Sequence, residues 1–244
     1  MAERMRLDKL LGRSGVVTRS QAREWIRAGR VMVDGETARD PARAIDPALA
    51  AVAVDGQALV YRRRRHLMLN KPAGVLTAAS DSRAATVMDL LPPPCRAQGC
   101  MPVGRLDRDA EGLLLFTNDG VLAHRLLSPR AGIEKVYLVA VDGPLGEADA
   151  AAFAAGVILS DFTALPATLS VLESGPASAR ALCGVCEGKY HQVKRMFGAR
   201  GRRVLALKRL SIGPLALDEA LPPGAHRELT AGEEAALYAA AGLT

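Results

Sequence analysis

Gly104-Arg105-Leu106-Asp107-Arg108-Asp109-Ala110-Glu111-Gly112-Leu113-Leu114-Leu115-Phe116-Thr117-Asn118-Asp119-Gly120 decides how this chain reads. It sets one carboxylate, Asp107, beside a cation, Arg105. An unbroken apolar run follows and closes on the turn Asn118-Asp119-Gly120. Three leucines and a phenylalanine in a row predict a strand buried on both faces. A charged loop feeding such a strand is a rigid mount for a reactive group. An isolated Arg-x-Asp reads more simply as a solvated hairpin loop. Partners further along the chain turn the reading towards chemistry.

Outward from that stretch, residues 66–70 predict a strand that ends at Lys71-Pro72-Ala73-Gly74. Thr86 starts a short helix stopped by Pro92-Pro93-Pro94, and Asp119 caps a helix reaching residue 127. Residues 134–141 alternate as a strand does, residues 147–155 are helical and end at Gly156, and residues 168–172 and 180–186 predict strands. A helix over 191–199, a strand over 204–207 and a C-terminal helix opened by the capping box Thr230-Ala231-Gly232-Glu233 complete the piece. Strands outnumber helices and short turns join many neighbours. The expectation is an α+β domain over 66–244, with a mixed, mainly antiparallel sheet flanked by helices.

Residues 1–60 form a separate small piece. Arg6-Leu7-Asp8-Lys9-Leu10-Leu11 has helical apolar spacing. Thr18 and Gln21 make a capping box for a second helix that stops at Gly29. Val31-Met32-Val33 and Val52-Ala53-Val54 are short strands followed by the hairpin turns Asp34-Gly35 and Asp55-Gly56. Tyr61-Arg62-Arg63-Arg64-Arg65 then reads as a basic linker over 61–65.

The whole chain carries a net charge of +6, and its first 65 residues hold 14 Lys/Arg against 8 Asp/Glu, so the excess sits in the first quarter. Residues 189–209 add eight Lys/Arg and no acid. A basic arm with a local basic stripe is the footprint of a polyanion ligand. Cys183-Gly184-Val185-Cys186 has a spacing that suits zinc. It lies in an apolar strand with no histidine at ligand spacing, so buried free thiols are expected and no metal. No apolar run reaches the roughly 18 residues of a membrane span. The N-terminus leads into a charged helix, and a cytoplasmic location with no membrane partner is expected.

Residues 5–50, with Leu-Asp-Lys and Arg-Ala-Gly-Arg-Val-Met-Val-Asp-Gly, resemble the αL RNA-binding motif shared with a ribosomal small-subunit protein. That resemblance makes Arg6, Lys9, Arg13, Arg19, Arg23 and Arg27 candidate phosphate contacts, which give affinity without sequence choice.

Three motifs follow in order: Asn70-Lys71-Pro72-Ala73-Gly74, the Gly104–Gly120 stretch, and Glu187-Gly188-Lys189-Tyr190-His191-Gln192-Val193-Lys194-Arg195-Met196-Phe197. Together they resemble the RNA pseudouridine synthases of the ribosomal small subunit pseudouridine synthase A family, over nearly the whole chain. The resemblance implies that uridine in small-subunit ribosomal RNA becomes pseudouridine without metal or organic cofactor. The alternatives are a large-subunit target or a non-catalytic assembly factor. Ser128-Pro129-Arg130 ahead of 134–139 favours the small-subunit branch.

By the same resemblance Asp107 is the catalytic aspartate, Lys194 its basic partner, Tyr137 the tyrosine stacked on the uracil, and Leu207 the apolar residue on the ring's other side. Arg105 fills the space left by the everted nucleotide or holds its phosphate. Lys71, Lys189 and Arg195 are further RNA contacts, Lys71 being equally readable as a turn-former before Pro72. Asp109, Glu111 and Asp119 read as loop or cap residues, and His191 as a structural hydrogen-bonder. One departure stands out: the family usually has threonine where this chain has Ala110, which removes a hydroxyl that could brace the loop. The expected partner is ribosomal RNA, naked or in a partly assembled small subunit, bound by a monomer.

Overall fold

In the computed structural model, which describes residues 4–243, the chain divides into two compact units. One holds the chain up to Arg65 together with Leu91–Cys100; the other holds His66–Leu90 and everything from Met101 onward. The sequence reading placed residues 91–100 in the second piece. Three consecutive prolines do stop the 3₁₀ helix Val87–Leu90. Pro93 then opens a new helix, where its missing N–H goes unused. The buried thiol of Cys95 faces inward from that helix.

In the first unit, Leu7, Leu10 and Leu11 of α1 (Leu7–Arg13) share a buried face with Ala22 and Ile26 of α2 (Arg19–Arg27). The Thr18–Gln21 capping box forms as the sequence predicts. β1 (Met5–Arg6) pairs with β4 (Ala44–Ile45). β2 (Val31–Val33), β3 (Glu36–Ala38), β5 (Val52–Val54) and β6 (Gln57–Ala58) form a four-stranded sheet in the order β3-β2-β5-β6. Both Asp-Gly turns have positive φ at each central residue, which matches the twist of the strands they join. The helix of 93–97, α3 (Pro93–Ala97), approaches α1 so closely that a side chain at Gly15 would collide with Pro94.

Asp8 of α1 is completely buried, yet it accepts hydrogen bonds from three half-exposed arginines, Arg6, Arg19 and Arg23, the shortest at 2.9 Å. Burial pushes its carboxyl up, but the three guanidinium groups outweigh burial and hold it well below the usual carboxylate range. A carboxylate depressed in the folded state adds stability above its unfolded pKa and loses it as pH falls through the folded value. Asp8→Asn therefore lowers the stability of this unit at neutral pH by about 2 kcal/mol, the loss of charged hydrogen bonds. Urea titrations at pH 7 and pH 2 check this, with the gap between parent and variant narrowing in acid.

In the second unit the predicted central strand is β9 (Glu111–Thr117), whose residues Gly112–Thr117 are all buried. It lies between β7 (His66–Lys71) and β13 (Val204–Ile212). The remaining strands are β8 (Met101–Pro102), β10 (Lys135–Asp142), β11 (Thr168–Ser174), β12 (Ser178–Val185), β14 (Leu215–Ala216) and β15 (His226–Glu228). Among the described residues the sheet has nine strands, in the order β11-β12-β10-β13-β9-β7-β15, with β14 on β13 and β8 on β9. Only β9 and β13 run parallel; every other pairing is antiparallel. Gly112, at φ +100°, makes the parallel join, since any side chain there would run into the backbone of Arg209.

α4 (Gly120–Leu127) starts on Asp119, whose side chain accepts from Val121 and Leu122 N–H. With α7 (Ala231–Ala240) it covers one sheet face, over a core of Met68, Leu113, Leu115, Leu122, Leu126 and Leu237. α5 (Glu147–Ala155) and α6 (Gln192–Ala199) complete the unit. The mixed, mainly antiparallel sheet with flanking helices is the α+β arrangement read from the sequence. β13 is longer than that reading, running on through Lys208 and Arg209 to Ile212. Cys95, Cys100 and Cys183 are buried, and burial pushes the Cys183 thiol up to about 12. Among the described residues no helix is long and apolar enough to cross a membrane.

Candidate active site

The turn carrying Asp107 sits between β8 and β9, closed by the Ala110 N–H bonding to the Asp107 carbonyl at 3.1 Å. Two outside clamps fix it. Thr77 Oγ1 donates to the Leu106 carbonyl at 2.8 Å. Lys71, at the end of β7, is completely buried and donates through Nζ to the carbonyls of Ala110 (2.8 Å), Pro72 (3.0 Å) and Arg108 (3.3 Å). Gly74 adds a backbone bond to Arg108 at 2.7 Å. Lys71 is therefore no RNA contact. Its ammonium is enclosed by loop carbonyls, and burial pushes it down to about 8 despite the pull of Asp109, Glu111 and Asp107. The first motif holds the loop of the second. Ala110 contributes through its backbone alone, so the loop is braced without the threonine hydroxyl.

The Asp107 side chain is 23% exposed, enough to meet a substrate without facing bulk water. Lys194 of α6 lies 3.0 Å from its Oδ2, and His191 Nε2 lies 3.4 Å from its Oδ1. Lys194 also bonds Asp109 Oδ1 at 2.6 Å. Burial pulls Lys194 down, but these two carboxylates outweigh it and hold its ammonium above the usual lysine value. Asp109 is thus more than a loop residue: it is the second anchor of Lys194, and that ion pair lowers its own pKa.

Asp107 opens into a cleft of about 800 Å³ with Arg105, Tyr137 and Lys189 on its walls. Tyr137 and Leu207, both more than nine-tenths buried, line the recess next to Asp107. They come from the neighbouring strands β10 and β13, two residues apart in register. Arg105 is exposed on the cleft wall and makes no ion pair among the described residues. Lys189 leans over the Phe162 ring at 3.6 Å, and Arg195 pairs with Asp161. The structure therefore brings together Arg105, Asp107, Tyr137, Lys194 and Leu207, and turns Arg195 away to an acidic partner.

Sequence reading missed two cations in the cleft wall, Lys135 and Arg209, each about 95% buried. Arg209 faces Tyr137 across the β10–β13 pairing, its Nη1 3.5 Å from the phenol oxygen and its Nε bonded to the Leu113 carbonyl at 2.7 Å. Burial, then Arg209, lowers the pKa of Lys135. A signal existed: Leu207 and Arg209 are two apart, so one inward face continues past the expected strand end. In the first unit Arg6, Lys9, Arg19 and Arg27 are exposed and Arg13 and Arg23 partly so, with Arg6, Arg19 and Arg23 gathered on Asp8.

Known proteins resemble the chain over both units. Residues 65–199 match the RNA pseudouridylate synthase family, and residues 5–48 match the S4 domain. An uncharacterized RNA pseudouridine synthase of Bacillus subtilis (strain 168) is 44% identical over 230 residues, covering 94% of this chain and 96% of the relative. Ribosomal small subunit pseudouridine synthase A of Salmonella typhimurium is 43% identical over 236 residues, covering 96% of this chain and all of the relative. A solved pseudouridylate synthase structure superposes with a TM-score of 0.66 at 36% identity, over 96% of this chain and 99% of the other. The chain belongs to the RNA pseudouridine synthases, isomerases of RNA uridine, and carries an S4 domain ahead of its catalytic unit.

Proposed function

We propose that this enzyme isomerises a uridine of small-subunit ribosomal RNA, with Asp107 as its catalytic carboxylate. The observation that carries the reading is the Asp107–Lys194 ion pair at 3.0 Å, placed beside Tyr137 and Leu207 in one recess. The reaction breaks the N1–C1′ bond, turns the uracil and forms a C5–C1′ bond. The proton lost from C5 is balanced by one gained at N1. A carboxylate can serve by covalent attack or by removing the sugar 2′ proton to give a glycal, and both routes need it ionised. Lys194, 3.0 Å from Oδ2, supplies the compensating positive charge for that carboxylate. Tyr137 stacks on the detached ring and relays the C5 proton, while Leu207 closes the other face. Held between them, the ring rejoins faster than it escapes. Everting the uridine from folded RNA costs a few kcal/mol, and Arg105 on the cleft wall steadies the everted nucleotide.

The small-subunit target is supported by the full-length relatives that bear that name. Tritium release from C5-labelled transcripts tests it directly. Release is expected from small-subunit RNA, with naked transcript and partly assembled particles compared side by side. Release from large-subunit RNA alone would move the target. Binding to either RNA without release would make the protein an assembly factor.

A further inference from the structure

Tyr190 is 73% exposed at the cleft, in a chain with only four tyrosines. Its ring is not loose. It stacks on His191 with centroids 3.9 Å apart and planes 16° from parallel. His191 in turn places Nε2 3.4 Å from Asp107. The backbone is set to make this stack. Among the described residues three non-glycines have positive φ: Asp34 and Asp55, both in hairpin turns, and His191 at +49°. A left-handed residue outside a hairpin persists when its surroundings over-determine it. Here Gln192 accepts from the Lys189 N–H at 3.0 Å and donates to Glu187 at 2.7 Å, and Glu187 accepts from the Leu165 N–H at 2.8 Å. The outer face of Tyr190 is thus a rigid, flat π surface one ring beyond the histidine that touches the catalytic carboxylate. Lys189 in the same turn supplies positive charge for a backbone.

We propose that Tyr190, backed by His191, is a stacking platform for an unpaired nucleobase adjacent in the strand to the uridine that enters the Asp107 cleft. The proposal rests on the reading of that cleft as the uridine site. An exposed aromatic face next to cations holds a base without choosing its identity. The enzyme then grips its substrate at two consecutive unstacked bases, one in the recess and one on the platform. It favours loops and distorted helices over regular duplex.

The test compares Tyr190→Ala, Tyr190→Leu and Tyr190→Phe on full-length small-subunit rRNA transcript, with Kd from filter binding and KM from tritium release. Ala and Leu are expected to raise both by roughly tenfold, and Phe to hold the parent values. The slope of log Kd against log salt stays at the parent value in all three, because no phosphate-neutralising charge is lost. Parent Kd in Tyr190→Ala, or Leu matching Phe, overturns the platform. If the parent enzyme itself releases no tritium, the reading of the Asp107 site fails, while the Kd comparison still judges the platform.

Discussion

Asp107→Asn is expected to leave ribosomal RNA affinity at the parent level and to lower pseudouridine formation by at least about 10⁴-fold, the scale of removing a reacting group. The exchange keeps the shape of the side chain and removes its charge. Lys194 is not stranded by it, because Asp109 remains bonded to the same Nζ at 2.6 Å. The broken pair was part-exposed, so the stability change stays within about 1 kcal/mol. Single-turnover tritium release with excess enzyme, beside a thermal melt, separates lost chemistry from lost fold. A variant that melts with the parent and still converts uridine at the parent rate would remove Asp107 from its role.

Lys71→Met carries the second large effect, and it acts without touching substrate. Methionine fills much the same space but donates nothing, so the carbonyls of Pro72, Arg108 and Ala110 lose their shared donor. The Arg108 carbonyl keeps its bond from the Gly74 N–H, while the Ala110 and Pro72 carbonyls lose Nζ at about 1–3 kcal/mol each, so the catalytic unit loses about 3 kcal/mol in all. The Asp107 turn then shifts, and a displacement of about 1 Å at a catalytic group costs about 10²-fold in rate.

A pH signature distinguishes this lysine from an ordinary surface one. Its folded-state value near 8 lies below the ordinary 10.5. Between those values the unfolded chain binds the extra proton, so stability rises with pH across that window through this group. Subtracting the Lys71→Met curve from the parent curve in urea titrations from pH 7 to pH 11 should isolate that rise. A flat difference would place the ammonium in water.

Much of this was legible in the sequence because the decisive signals are local. The apolar run of 113–116 reads as a doubly covered strand. The Thr18–Gln21 and Thr230–Glu233 capping boxes announced their helices, and two Asp-Gly pairs announced their hairpins. Asp107 and its lysine were named through the family resemblance of their motifs; the contact between them comes from α6 meeting the β8–β9 turn in space. What escaped depends on long-range partners. Lys71 looked like a surface cation because lysine is rarely buried, and only the folded turn at 108–110 shows which carbonyls enclose it. Arg209 lay beyond the strand expected over 204–207, and only the pairing of β13 with β10 carries the strand through it. β15 was not anticipated at all: three half-buried residues gain strand geometry by pairing with Leu67–Leu69. The short helix of 93–97 was hidden by its prolines, which both stop one element and start the next.

The route of the backbone between the two units bears on how the polypeptide matures during synthesis. Leu91–Cys100 joins the first unit, so that unit is whole only once about a hundred residues have left the ribosome, after β7 has already emerged. β7 must then wait for residues 226–228, the last strand of the sheet to be made. The S4 portion is consequently not a detachable cartridge. Cutting at residue 65 would leave Leu91 and Cys95 without the neighbours that bury them, and grafting those first 65 residues onto another enzyme would need the proline-bounded helix carried along with them.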